Sequence, residues 1–277
     1  MNLKDYLARI GLSGAVRPDL PTLKAIHRAH VESIPYEDLD VQFGVPVSRA
    51  PKAAYDKIVR RGRGGWCYEM NGLLGWALEE AGFKVERLAG GVMREAMGEQ
   101  AVGNHLVLIV TLDRPWLVDA GFGDGLIEPV PLEEGAFSNG AMACRLAQID
   151  GGWWRYHNDP NGSAPSFDFH LEVNDEALLE TGCAFLQTHP ESPFVQNAVV
   201  QRWENGEHLS LRGRVFQRLA ADGKHLETVN DADEYVRMLK DRFKLDLPEA
   251  ASLWPKITAR HDVVFGAQSE ASRVSVN

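Results

Sequence analysis

The run Arg61-Gly62-Arg63-Gly64-Gly65-Trp66-Cys67-Tyr68-Glu69-Met70-Asn71 sets the reading of the whole chain. Glycines crowd the backbone just ahead of Cys67, and an apolar-periodic segment begins at it. Leu73, Leu74, Trp76, Ala77 and Leu78 supply the buried positions of a helix predicted over 67–81, and Gly82 is its C-terminal stop. A thiol is thereby placed at a helix N-terminus, where the positive end of the helix dipole and unpaired amides favour a thiolate. A free cysteine with a pKa of about 8.5 is only a few per cent ionised at pH 7, so full ionisation gains roughly 30-fold in reactive species. A helix end alone does not deliver that gain. The chemistry asks for a histidine that holds the thiolate as an ion pair and moves protons.

Upstream, Leu3, Tyr6, Leu7 and Ile10 share one face of a helix that Gly11 and Ser13-Gly14 end. A second helix is predicted over 21–33 and stops at Ile34-Pro35, because a residue before proline is pushed out of helical geometry. Residues 1–84 thus read as helical and carry the thiol. Downstream the texture changes at Phe83. Runs at 85–93, 105–112 and 116–120, and further ones around 142–149, 153–157 and 166–173, are short, rich in branched and aromatic residues and separated by Gly, Asn, Asp and Pro. They predict an antiparallel sheet over 85–190 closing toward a barrel. From Ser192 a further strand series follows, with 208–213 and 214–219 the clearest pair, and then a helix over 231–243. Asp231 and Glu234 suit that helix's cap and first turn, and Tyr235, Met238, Leu239 and Phe243 its inner face. The fold class is therefore α+β, and the polar residues from Ala267 onward are expected to be loosely held.

Composition narrows the function. A formal charge of -10 and 44% hydrophobic residues describe a chain with a real core and argue against the phosphate backbone of a nucleic acid as partner, while an anionic cofactor could still bind in a local basic or amide-lined pocket. The segment MNLKDYLARIGL lacks the cationic stretch and cleavage site of a signal peptide, and no run reaches the roughly 18 apolar residues of a membrane span. A cytoplasmic location is the default, and self-association is left open. The three cysteines, Cys67, Cys144 and Cys183, are too few and too far apart for a disulfide framework or a zinc site. Cys144 and Cys183 read as buried or half-buried structural thiols. The His27-x-x-His30 spacing lacks a third ligand and reads as a solvated helix face, so no metal is expected.

Among nine histidines, His105 opens the strand-like run Leu106-Val107-Leu108-Ile109-Val110, which would fix its ring at a sheet edge. Fourteen residues on, Asp119 ends the run Trp116-Leu117-Val118 and precedes Ala120-Gly121-Phe122-Gly123. Two adjacent antiparallel strands joined by a short turn bring such a pair within a hydrogen bond. Asp119 would then orient the imidazole and stabilise its cationic form. The chain order Cys, His, Asp is that of papain-like and transglutaminase-like catalytic cores.

Three motifs make the resemblance specific. Arg63-Gly64-Gly65-Trp66-Cys67-Tyr68-Glu69 with Asn71 resembles the nucleophile motif of the arylamine N-acetyltransferases. Val118-Asp119-Ala120-Gly121-Phe122-Gly123 is similar to the same family's aspartate motif, and Ile34-Pro35-Tyr36-Glu37-Asp38-Leu39 to its Ile-Pro-Phe-Glu-Asn-Leu signature. Tyr36 and Asp38 depart from that signature, and Asn104 stands where relatives often carry Thr. Ser192-Pro193-Phe194 resembles a short segment lining the family's acceptor pocket.

The resemblance implies a helical first domain (1–84), a β-barrel second domain (85–190) and an α/β lid (191–277), with Cys67, His105 and Asp119 in the cleft between the first two. It implies a ping-pong reaction. Acetyl-CoA acylates Cys67, CoA leaves, and an arylamine, arylhydrazine or N-hydroxyarylamine takes the acetyl group, a chemistry of xenobiotic metabolism. Tyr36, Trp66, Phe122 and Phe194 fall where the family keeps its acceptor-pocket walls, and flat apolar walls favour an aryl amine. Gly123 and Gly125 could offer backbone amides to the CoA pyrophosphate, which Asp124 opposes electrostatically. Glu37 and Arg63 read as a partly buried ion pair tying the nucleophile loop down. Two rivals stay open: a hydrolase or transglutaminase-like enzyme, which needs a long open groove for the same triad, and a catalytically silent binding protein.

Overall fold

The computed structural model describes residues 1–266, so the expectation for the polar tail lies outside the described residues. Its first layer is the helix Leu20–Ser33 packed with the helix Cys67–Glu80. The Asp19 carboxylate caps the former by accepting from the Thr22 amide at 2.9 Å, and Ile34, extended ahead of Pro35, ends it. The latter helix is buried from Cys67 through Leu78, and Gly82 follows its end with φ +91°. A helix buried on every side needs cover all round. Its cover is the short helix Pro51–Tyr55, the N-terminal helix Leu3–Arg9, the helix Leu20–Ser33 and the sheet that follows.

That sheet is antiparallel and eight-stranded. In chain order its strands are β2 (Lys84–Val92), β3 (His105–Thr111), β4 (Pro115–Val118), β5 (Val130–Pro131), β6 (Gly135–Asn139), β7 (Met142–Gln148), β8 (Trp154–His157) and β9 (Ser166–Phe169), arranged β5-β4-β3-β2-β9-β8-β7-β6. It curls into a half-barrel. A five-stranded antiparallel sheet holds β10 (Val199–Glu204), β11 (Glu207–Arg212), β12 (Val215–Ala220) and β13 (Gly223–Thr228), and its first strand is β1 (Tyr36–Glu37) from the helical region. Tyr36 pairs with Gln201 and also bridges Gly65, so one dipeptide links the late sheet to the nucleophile loop. The helix Ala232–Phe243 covers this sheet with Tyr235, Met238, Leu239 and Phe243 inward, as its periodicity predicts.

Three expectations need correction. The stretch 85–190 is not all strand: Glu176–Thr188 is a helix capped by Asp175, with Leu179, Cys183 and Leu186 buried at helical spacing. The segment beginning at Ser192 is first a short helix, Pro193–Gln196, started by the Ser192 hydroxyl and by Pro193. His27 and His30 do not lie on a solvated face. Both are fully buried, and each uses its Nδ1: His27 with the Ile127 carbonyl at 3.0 Å, His30 with the Tyr6 hydroxyl at 2.8 Å.

Candidate active site

Cys67 is the first residue of its helix, and it is buried. The approach to it is shaped by contact. A Cβ on Gly64 would lie 2.1 Å from the Pro35 carbonyl oxygen, and one on Gly65 would lie 2.7 Å from the Glu69 Cβ, so both positions exclude a side chain. Glu69, in the first turn, accepts from the Trp66 amide at 3.3 Å and from the Lys57 ammonium at 2.9 Å. Lys57 also meets Asp40 at 2.9 Å, while Arg63 donates to Glu37 and Asp40 at 2.8 and 2.9 Å. The expected Arg63–Glu37 pair is thus one edge of a five-residue buried network. Its members come from separate parts of the sequence, Glu37 and Asp40 from one stretch, Lys57 and Arg63 from another and Glu69 from the helix, which is why spacing alone does not reveal it.

His105 begins β3, and Asp119 directly follows β4; Leu108 pairs with Val118, so the two strand ends lie side by side. His105 Nε2 and Asp119 Oδ2 are 2.6 Å apart, with both side chains buried. The other carboxylate oxygen of Asp119 accepts from the amides of Gly121 and Phe122 at 2.8 and 2.9 Å. A carboxylate fixed at both oxygens holds the imidazole in one tautomer and one orientation. The ring sits against Phe122 and Phe167, at centroid distances of 5.9 and 5.0 Å. His105 Nδ1 makes no hydrogen bond among the described residues.

The thiol joins this pair through the residue before the histidine: Cys67 Sγ lies 4.0 Å from the Asn104 carbonyl oxygen. Asn104 in turn clamps the end of β2, accepting from the Val92 amide at 2.7 Å and donating to its carbonyl at 3.2 Å. Sequence reading left Asn71 without a role, and the structure supplies one. It lies one turn along the helix from Cys67; its Nδ2 donates to the Leu106 carbonyl at 2.6 Å, and its Oδ1 accepts from the Ala120 amide at 2.9 Å. One side chain therefore spans from the nucleophile helix to the strand that starts with His105 and to the turn that carries Asp119. Burial pushes the Cys67 thiol well above its ordinary pKa; Cys183 and Asp119 push the same way, and the Tyr68 amide opposes them. A lone thiolate is disfavoured here, so ionisation requires a cationic partner.

The chain belongs to the arylamine N-acetyltransferase family. A sequence model described as N-acetyltransferase matches residues 19–252. The arylamine N-acetyltransferase of Mycolicibacterium smegmatis is 37% identical, over 91% of this chain and 94% of that protein. The liver isozyme of Gallus gallus is 31% identical, over 89% and 96%. Among solved structures, the Mycobacterium smegmatis arylamine N-acetyltransferase superposes with a TM-score of 0.84 at 37% identity, covering 93% of this chain and 97% of that one. The Mycobacterium marinum enzyme in complex with CoA superposes at 0.83 and 32% identity, covering 95% and 99%. As a member of this family the chain is an acyltransferase.

The remaining predicted site residues of this arylamine N-acetyltransferase fall into two groups. Phe122 joins the aromatic cluster of His105, Tyr156 and Phe167, and Phe194 packs edge-on against Trp66 at 5.4 Å. Trp66 is fully buried and so braces Phe194 from behind instead of presenting an open face. Tyr36 lies on β1 beside the nucleophile loop. Gly123, with φ +86°, packs directly on the Gln201 carboxamide, and the Gly125 carbonyl accepts from Asn139 and Trp203 at 2.8 and 3.1 Å. The Asp124 carboxylate is taken up internally by Ser163 and Asn158, at 2.8 and 3.1 Å from the Ser163 hydroxyl and the Asn158 amide, so its charge faces the fold.

Sequence reading missed a cleft of about 440 Å³ running from Gln42, Asp124 and Gln201 outward between β11, β12 and the helix Trp254–His261. Arg212, Arg214, Lys224, Lys256 and Arg260 line it, and none of the five forms an ion pair among the described residues. The signal was present in the sequence as cations spread over the last third of the chain, but only the strand pairing collects them. Among the described residues no helix is long and apolar enough to cross a membrane.

Proposed function

We propose that this enzyme moves an acetyl group from acetyl-CoA to an arylamine, arylhydrazine or N-hydroxyarylamine through a thioester on Cys67. The observation that carries the reading is the locked His105–Asp119 pair at 2.6 Å beside a cysteine at a helix N-terminus. With Nε2 committed to Asp119, Nδ1 is the nitrogen left to receive the thiol proton. Burial resists a lone thiolate, and an imidazolium backed by Asp119 supplies the missing counter-charge. The thiolate attacks the thioester carbonyl, the bond from that carbon to the CoA sulfur breaks, and the imidazolium returns its proton to the departing thiolate. In the second half the amine nitrogen attacks the acyl-Cys67 carbonyl and gives a proton to His105. The bond to Cys67 sulfur then breaks, leaving amide and free thiol. Exchange between thioesters is nearly balanced in energy, whereas amide formation runs downhill, so a cysteine carrier suits a weakly nucleophilic aryl amine.

The basic cleft suits the phosphates of CoA. On a chain of formal charge -10, five cations with no carboxylate ion pair among the described residues form a local field that a polyanion can use. Gly123 packs on Gln201 at the inner end of the cleft, near where the pantetheine arm would pass with Gly125 close by in the chain, and the pyrophosphate would fit the cations farther out. Phe122 and Phe194, with Trp66 behind and Tyr36 beside, would wall the acceptor. A cytoplasmic enzyme of xenobiotic metabolism is the setting this chemistry fits.

Intact-mass analysis tests the reading. Acetyl-CoA should add one acetyl group to the wild type and none to Cys67→Ala, and aniline should remove it as acetanilide in step with CoA release. Failure of acetyl-CoA to label the wild type, or labelling that persists in Cys67→Ala, would overturn it.

A further inference from the structure

Two buried polar side chains, Gln201 at the inner end of the cleft and Tyr36 across the sheet from it, have no hydrogen-bond partner among the described residues. Gln201 and Tyr36 stand directly opposite each other on β10 and β1, so their side chains share one face of the sheet. They are 4% and 5% exposed, yet neither the Gln201 carboxamide nor the Tyr36 hydroxyl makes a hydrogen bond among the described residues. The Gln201 oxygen is sealed from solvent. Groups this deeply buried are ordinarily bonded, and an unpaired pair marks a place where something else supplies the bonds.

Their position says what that is. Gln201 lines the cleft, and its amide lies flat on Gly123, where a Cβ would come within 2.5 Å of Nε2. Only glycine lets the carboxamide reach this point, four residues past Asp119. Tyr36 bridges Gly65, two residues ahead of the nucleophile. Burial pushes its hydroxyl well above the ordinary range, and the charges acting in the same direction are those of Cys67, Asp38, Tyr68 and Asp124. Gln201 therefore faces the cleft while Tyr36, its partner in register, adjoins the loop that leads to the sulfur. An acyl donor whose nucleotide end is held by the outer cations must thread its thiol end past them.

We propose that Gln201 and Tyr36 form a subsite for the secondary amide of the pantetheine arm that lies two methylenes from the thioester sulfur. A secondary amide offers one N–H and one C=O. A carboxamide and a phenol hydroxyl can each donate and accept, so the pair satisfies both without a charge. This places the thioester carbonyl before Cys67 and makes the enzyme selective for donors carrying that amide over those with only the reactive acyl group. The proposal rests on acyl transfer through Cys67.

The test compares two small donors with the same acetyl thioester: S-acetyl-N-acetylcysteamine, which has the amide, and S-ethyl thioacetate, which lacks it. Single-turnover acylation of Cys67 should favour the amide-bearing donor by tenfold or more in the wild type. In Gln201→Leu and in Tyr36→Phe, each made separately and checked for native circular dichroism, the ratio should fall toward one. Gln201→Asn, which keeps a carboxamide, should retain part of it. Equal rates for the two donors in the wild type, or a ratio unchanged in both variants, would overturn the subsite while leaving acyl transfer standing. No acylation by either donor or by acetyl-CoA would instead remove the transfer reading beneath it.

Discussion

Asn71 holds the three reacting groups in register because its two amide ends serve different strands. Nδ2 binds the carbonyl next to His105 and Oδ1 the amide next to Asp119. Gly121 completes this junction by offering no side chain: a Cβ there would sit 2.7 Å from Asn71 Nδ2 and 2.8 Å from the Cys67 carbonyl oxygen. The Cys67 carbonyl is backbone of the nucleophile helix and cannot swing aside. Gly121→Ala should therefore move the Asp119 turn away from the helix, lowering single-turnover acylation by about 100-fold, the scale of effect expected for a misplacement of about 1 Å. The same overpacking should destabilise the fold by about 1–3 kcal/mol. Rapid-quench mass spectrometry of Cys67 and urea unfolding measure the two effects, and a variant acylated at the wild-type rate would show that the contact does not position the triad.

At the scale of elements, the nucleophile loop is held by charge. Lys57 is buried among Glu37, Asp40 and Glu69, with Arg63 completing the cluster. Burial alone would lower the Lys57 pKa, but the three carboxylates reverse that and raise it. Glu69 is pushed up to about 7 by burial, with Lys57 pulling it back down. Lys57→Met removes the central cation and leaves three buried carboxylates with Arg63 alone, so unfolding free energy at pH 7 should fall by about 3–5 kcal/mol. Urea denaturation measures this, and a loss under about 1 kcal/mol would mean that the network stands without its lysine. Arg63→Ala should act in the same direction, as lost folding and not as an isolated loss of rate. Much of this region was legible in the sequence. Cys67 at a helix start followed from glycines and apolar period, and the His105 and Asp119 strand ends followed from branched runs broken by turn residues. Lys57 and Asp40 were not legible, because no local pattern separates a buried charge from a solvated one. Gln201 was hidden for a related reason: its significance lies in pairing with Tyr36 across 165 positions of chain, which only the sheet register reveals. The helix Glu176–Thr188 is a different case, since Asp175 and the spacing of Leu179, Cys183 and Leu186 were visible but were absorbed into a run of expected strands.

At the scale of the whole molecule, the helix Leu20–Ser33 joins distant parts of the fold through two neutral histidines. His30 meets Tyr6 of the N-terminal helix, and His27 meets the Ile127 carbonyl, beyond the Asp119 turn. Burial drives both below the ordinary imidazole range, His30 down to about 3 with His27 and Arg9 adding to the effect. The sign follows from linkage. A group whose folded pKa lies below its unfolded value contributes stability that is complete above the unfolded pKa, near 6.5, and is lost as pH falls through the folded one. His30 should therefore weaken the fold progressively from about pH 6.5 toward 3, with a slope approaching about 1.4 kcal/mol per pH unit for the one proton involved. His30→Gln keeps an acceptor for the Tyr6 hydroxyl and cannot titrate. Its stability at pH 7 should be lower than that of the wild type, and its decline between pH 6.5 and 4.5 shallower by nearly one proton. Urea unfolding at half-unit pH intervals gives both slopes, and because the carboxylates are common to the two proteins their contribution cancels in the difference. Parallel curves would show that exclusion of a proton from His30 is not what ties the acid stability of this enzyme to its first helical layer.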